Sequence, residues 1–247
     1  PELEDEVTQV LGDELKKILP KADFEALVVG LGNWNATPDA LGPRVVADLL
    51  VTRHLQEYVV PDLQGRLRSV CAIAPGVLGI TGIETSEVVT GIVEKVRPGV
   101  VVVVDALAAR SLSRIMTTVQ ITDTGIHPGS GVGNRRIGID SRTMGCATVA
   151  VGVPTVVHAL TIAQDTVEAL INHLRTTGAN LEGVEQLSDG EKRALVDRVL
   201  TPSFGDLMVT PKEVDAFIDD MARIISRALN VALHPRLDVE EVARYLG

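Results

Sequence analysis

Leu27–Pro43 reads LVVGLGNWNATPDALGP, and Val100–Arg110 reads VVVVVDALAAR. Both stretches open as short apolar runs rich in valine and end in polar residues that include an aspartate, Asp39 in the first and Asp105 in the second. A continuous apolar run of this length suits a strand buried on both faces, as in a parallel sheet. In open parallel sheets, ligands and chemistry collect beyond the carboxyl ends of the strands, where loops lead into helices. Both aspartates fall at such predicted ends. Neighbouring strands lie about 4.8 Å apart, so the two ends can bring the carboxylates within a few ångströms of one another.

Outward from these two runs, strand and helix patterns alternate. Apolar residues at 3, 7, 10, 11, 15, 18 and 19 predict a helix over Leu3–Leu19, which Pro20 stops. Leu27–Leu31 is the first strand, with Gly30 and Gly32 marking a close backbone approach as it ends. Pro43 suits the first turn of a helix running to about Leu55. Ser69–Ala74 and Val100–Val104 read as strands, with a helix over Glu84–Lys95 between them and a helix or turn from Asp105 to Arg114. Val119–Ile121 and Ala147–Val153 are further strand candidates, and Ala159–Leu174 is a further helix. This alternation predicts an α/β fold, a three-layer α/β/α sandwich around a mostly parallel sheet. Past Thr177 only helical patterns remain, at Glu191–Leu200, Pro211–Leu229 and Val239–Leu246. The expected division is an α/β core over 1–176 and a helical C-terminal region over 177–247.

Composition narrows the function classes. The chain has 247 residues, 45% hydrophobic but 2% aromatic, so its core is built from Val, Leu, Ile and Ala. A net charge of −10 without a Lys/Arg cluster argues against a nucleic-acid surface. No apolar run is long enough for a membrane span, and the acidic start PELEDEVTQV does not fit a signal peptide. Cys71 and Cys146 form no Cys-x-x-Cys pair and read as core thiols in a reducing, cytoplasmic setting.

The aspartate pair is the strongest chemical candidate. Two adjacent carboxylates share a proton, leaving one as base and one as acid, and such a pair can activate water and protonate a leaving amine. Asp39 after Pro38 also fits an ordinary turn, and Asp105 also fits a helix cap. His127-Pro-Gly-Ser-Gly-Val-Gly-Asn134 lacks the Gly-Lys-Ser/Thr ending of a phosphate-binding loop. His127 reads as a hydrogen-bonded structural group or, as the alternative, a general base or metal ligand, His54 as a helix-end residue, and His158 and His173 as helix-surface residues. No histidine has metal-ligand spacing, so neither metal nor cofactor is expected. Arg44, Arg53, Arg110 and Arg114 lie near predicted strand ends, where an arginine is either salt-bridged or able to hold an acidic side chain.

The runs VVGLGNWNATPDALGP, LLVTRHL, AIAPGVLGITGIETSE, VVDALAARSLSR, TTVQITDTGIHPGSGVGN and AVGVPTVV together closely resemble the germination protease family of spore-forming bacteria, across Leu27–Leu174. That resemblance implies an endopeptidase of the spore core that degrades small acid-soluble spore proteins during germination, cleaving after a glutamate in a short motif. It implies catalytic roles for the aspartates of the Thr-Pro-Asp-Ala-Leu-Gly-Pro and Asp-Ala-Leu-Ala-Ala-Arg stretches, Asp39 and Asp105. It also implies a fold similar to hydrogenase maturation proteases, assembly as a tetramer, and synthesis as a zymogen. Hydrogenase maturation proteases bind metal at a comparable place, so a metal between the two carboxylates is the competing expectation. The chain opens 26 residues before the first motif, where the family carries a longer segment, so a catalytically silent core is a second alternative. Val29-Gly30-Leu31-Gly32-Asn33 with His54 is also similar to bacterial peptidyl-tRNA hydrolases. The gap of 21 residues to that histidine exceeds theirs, and the acidic charge opposes tRNA.

Overall fold

The computed structural model describes residues 2–55, 66–127, 137–177, 188, 190–191, 194–198 and 207–237. The elements are α1 (Glu2–Ile18), β1 (Ala26–Gly30), α2 (Leu41–Ala47), β2 (Val70–Ile73), α3 (Leu78–Thr81), α4 (Thr85–Val96), β3 (Val100–Ala109), β4 (Gln120–Thr122), α5 (Ser141–Met144), β5 (Ala147–His158), α6 (Ala159–Thr176), β6 (Met208–Val209) and α7 (Val214–Leu233). The sheet order is β2-β1-β3-β5-β4, with β6 also on β5. β1 pairs in parallel with β2 and β3, whereas β4 and β6 run antiparallel to β5. The expected mixed α/β architecture with a mostly parallel sheet is the one observed.

The chain forms two compact units. The first comprises Pro1–Ala106, Val119–Val153 and Glu213–Gly247. Its centre is β1 beside the first half of β3, and every residue of Val100–Val104 is fully buried. Leu27, Val29, Val101 and Val103 face one way and pack with Val89 and Val93 of α4 and Met144 of α5. α2 covers the other face, α7 packs on α2, and α1 packs on α7. On α1 the buried face is Thr8, Leu11 and Leu15, continued by Leu19 just past its end, while Leu3 and Val10 stay exposed. The second unit comprises Leu107–Thr118 and Pro154–Lys212 and contains α6 and β6. Within it, Met116 N–H donates to the Pro154 carbonyl at 2.8 Å, and Ala159 N–H donates to Leu207 at 2.9 Å.

Several elements depart from the sequence expectation. α2 ends at Ala47 rather than near Leu55, because tertiary partners claim the following backbone. Leu50 N–H donates to Asn230 Oδ1 at 3.0 Å, the Leu50 carbonyl faces His234 Nε2 at 3.3 Å, and Thr52 N–H donates to the Val70 carbonyl at 2.9 Å. β3 does not stop at Val104 but continues through Ala-Leu-Ala-Ala to Ala109, pairing overriding helix propensity. β5 runs through Pro154 to His158. Pro154 lies between the stretch paired with β4 (Ala150–Gly152) and the one paired with β6 (Val157–His158), where its missing N–H interrupts neither ladder. The short β6 was not anticipated either, since two residues carry no periodicity. Most of the glycine-rich loop after His127 and the pattern Val239–Leu246 lie outside the described residues.

Candidate active site

Asp39 closes a 3-10 turn, Thr37–Asp39, with Pro38 in its first positions. The turn is folded back onto the end of β1. Asn33 N–H donates to the Asp39 carbonyl at 3.0 Å, Asp39 N–H to the Ala36 carbonyl at 2.8 Å, and Leu31 N–H to the Val104 carbonyl at 2.8 Å. Glycine permits this approach. Gly32 has φ +118, and a methyl group there would come within 1.9 Å of the Asp39 carbonyl oxygen. A methyl group on Gly42 would come within 2.3 Å of the Leu31 carbonyl and 2.6 Å of the Val104 carbonyl.

Asp105 lies inside β3 rather than at its end. The β1–β3 register still brings it to the expected place: Gly30 is opposite Val104, so Asp105 is the first residue of β3 past the end of β1. Its Oδ1 accepts from the Ala106 N–H at 2.9 Å. Enclosure away from water and the neighbouring Asp39 carboxylate push the Asp105 carboxyl up to about 8. Burial also raises Asp39 above the ordinary aspartate range, and the Asn33 N–H partly reverses that rise. At neutral pH Asp105 therefore holds a proton beside Asp39. The first unit thus joins the two residues selected from sequence into one pair, and the pair has the asymmetry that acid–base chemistry uses.

The other candidates have their own surroundings. Arg44 forms an ion pair with Asp219 of α7, and Arg53 with Glu25. Arg110 and Arg114 are exposed in the second unit. His127 is exposed with its ring against Gly138, and His54 is exposed in a 3-10 turn, not at a helix end. His173 is exposed in the last turn of α6, and His158 occupies the N-cap position of that helix without a side-chain capping bond. Cys71 and Cys146 are free, half-buried thiols packed against the core. Among the described residues, no group of three His, Cys, Asp or Glu side chains is arranged to hold a metal ion, and no helix is long and apolar enough to cross a membrane. Sequence reasoning missed the backbone donors of Asn33 and Ala106, which have no side-chain signature. It also missed Gly42, whose signal was its place three residues after Asp39.

The germination protease family matches residues 1–182 and 176–246. The chain belongs to the germination protease family. Germination proteases of Caldanaerobacter subterraneus, Clostridium acetobutylicum and Bacillus subtilis are 49%, 46% and 44% identical to it. These alignments cover 99%, 98% and 99% of this chain and 77% of each relative. By this membership the protein is a peptidase. A solved structure of a NiFe hydrogenase maturation protease, HycI, from Thermococcus kodakarensis is similar at a TM-score of 0.45 and 17% identity, over 89% of this chain and 98% of that one.

Proposed function

We propose that this protein is an endopeptidase of spore germination that hydrolyses small acid-soluble spore proteins after glutamate, using Asp39 and Asp105 as its acid–base pair. The observation that carries the reading is the enclosed Asp105 carboxyl that the β1–β3 register sets beside Asp39, in a chain of the germination protease family. The substrate class, the glutamate preference, a spore-core location and a homotetrameric state rest on the sequence resemblance.

The chemistry follows from the asymmetry. Asp39, as carboxylate, takes a proton from a water whose oxygen attacks the scissile carbonyl carbon. Asp105 donates its proton to the carbonyl oxygen as the tetrahedral adduct forms, so the adduct stays neutral. Collapse of the adduct breaks the C–N bond. The leaving nitrogen takes the proton held by Asp39, and the adduct's hydroxyl returns one to Asp105. Both carboxyls are thereby restored, and one water has been consumed per peptide bond.

The test is cleavage of a glutamate-containing spore-protein peptide by the parent chain, Asp39→Asn and Asp105→Asn, each with and without chelator. Cleavage by the parent alone, unchanged by chelator, is the expected result. Full activity in either variant would remove the pair from the mechanism, and loss of parent activity with chelator would replace proton sharing by a metal bridge.

A further inference from the structure

We infer that Trp34 is a substrate-binding residue, contacting the apolar part of an extended peptide within about three residues of the bond cleaved; this rests on the proposed peptidase site. Trp34 is the only tryptophan in a chain that is 2% aromatic. It occupies the loop between β1 and α2, the loop that carries Asp39. Ala36 N–H donates to the Asn33 carbonyl at 3.1 Å, and Asn35 N–H donates to Asn33 Oδ1 at 2.9 Å. Trp34 and Asn35 are therefore the two central residues of a tight turn. Such positions select Gly, Asn, Asp, Ser or Pro for backbone reasons, and tryptophan has no advantage there. Nor does the indole serve the core. It is 53% exposed, and no ring or cation contact engages it among the described residues. The fold gives this side chain no role, yet leaving so large an apolar surface in water forgoes the burial that most tryptophans gain.

Its distance from the reacting groups is bounded by the backbone. The preceding residue's N–H donates to the Asp39 main-chain carbonyl oxygen at 3.0 Å. One peptide unit further on, the Trp34 Cα lies within about 8 Å of that oxygen, and so within about 11 Å of the carboxyl of the same residue. An extended substrate advances about 3.3–3.6 Å per residue, so about three residues span that gap. The ring offers a flat apolar face at the carboxyl end of the sheet, on the same loop as Asp39. Tryptophan is also among the residues that most often dominate binding at protein surfaces, being large and rigid enough to gain much on losing water.

A single tryptophan makes the experiment direct. The Asp39→Asn protein, which should hold peptide uncleaved, is titrated with a ten-residue glutamate-containing peptide carrying aliphatic residues on both sides of the glutamate, and intrinsic emission is followed. A saturable blue shift is expected, absent when free glutamate replaces the peptide. In the otherwise unaltered enzyme, Trp34→Ala should raise KM about tenfold with kcat nearly unchanged, and Trp34→Phe should recover most of the loss. Unchanged emission at peptide concentrations that saturate cleavage, or an unchanged KM in Trp34→Ala, would overturn the assignment. If the parent cleaves normally and Trp34→Ala matches it, only this inference falls. If no form cleaves and emission is unmoved by peptide, the reading of the reaction falls with it.

Discussion

At the scale of single residues, the site is a carboxyl that the fold keeps from ionising cheaply. Asp105 has its pKa raised from an ordinary 3.8 to about 8, so the folded chain holds that proton more tightly than the unfolded chain does. Its contribution to stability is therefore neutral at pH 4 and becomes steadily more unfavourable as pH rises towards 8. Asp105→Asn is isosteric and removes the ionisation. Thermal melts should show the variant more stable than the parent at pH 8 by about 3–5 kcal/mol, and nearly equal at pH 4. An equal shift at both pH values would mean that ionisation of Asp105 is not its source. The same residue should set the alkaline limb of activity, with kcat/KM falling as pH rises through about 8. Gly32 is the second sensitive position. With φ +118 and no room for a methyl group against the Asp39 carbonyl, Gly32→Ala must displace the turn that carries Asp39. It should cost about 2–4 kcal/mol and abolish cleavage; a variant that cleaves at the parental rate would show that the turn tolerates displacement. Sequence alone named both aspartates and Gly32, because β-branched runs, a turn proline and strand-end glycines are local signals. It could not rank the two carboxyls, since that depends on which one the sheet encloses.

At the scale of elements, the C-terminal end of α7 acts as a clamp on the chain that leaves α2. Asn230 and His234, both fully buried, grip the two polar groups of one peptide residue, Leu50. His234 Nδ1 also faces the Arg68 N–H at 3.3 Å as an acceptor, so the ring must be neutral and protonated on Nε2. Burial, with the Arg68 cation nearby, lowers its pKa from 6.5 to about 4. The unfolded chain thus binds this proton more readily, and the stability His234 provides is complete above pH 6.5 and lost as pH falls through 6.5 to about 4. His234→Gln should lower stability at pH 7 while flattening that acid-side slope, by of order 2–3 kcal/mol across the window. A variant retaining the full slope would assign it to other groups. This clamp was invisible in the sequence. Its two ends are 180 and more residues apart, and the helix pattern continued past Ala47 because Leu49 and Leu50 kept the right spacing while their backbone had already changed partners. Elements governed by local patterning, such as α1, α4 and α6, emerged within two or three residues of their expected bounds.

At the scale of the whole molecule, the two linkages oppose each other and shape the stability curve. Between about pH 4 and 6.5 folding gains from deprotonating His234 and loses from ionising Asp105, one proton each way, so the two slopes cancel. Above 6.5 the His234 contribution is complete and only the Asp105 loss continues, to about pH 8. The net charge acts in the same direction, because the sequence pI is ≈ 5.0 and the chain carries −10 at pH 7, so self-repulsion grows as the solution becomes alkaline. Below pH 4 the carboxylates of Asp13, Asp140 and Glu191, each held low by hydrogen bonds, take up protons and lose those bonds. Denaturant melts across pH should therefore give a plateau from about 4 to 6.5 and a fall of about 1–2 kcal/mol from 6.5 to 8. Salt separates the two causes of that fall. Raising ionic strength from about 0.01 to 0.15 M shortens the screening length from about 30 to 8 Å, so it should recover the part due to overall repulsion but not the part due to a carboxyl enclosed beside its neighbour. In Asp105→Asn the salt-insensitive part should vanish. A stability maximum at pH 8 or above in the parent would contradict both contributions.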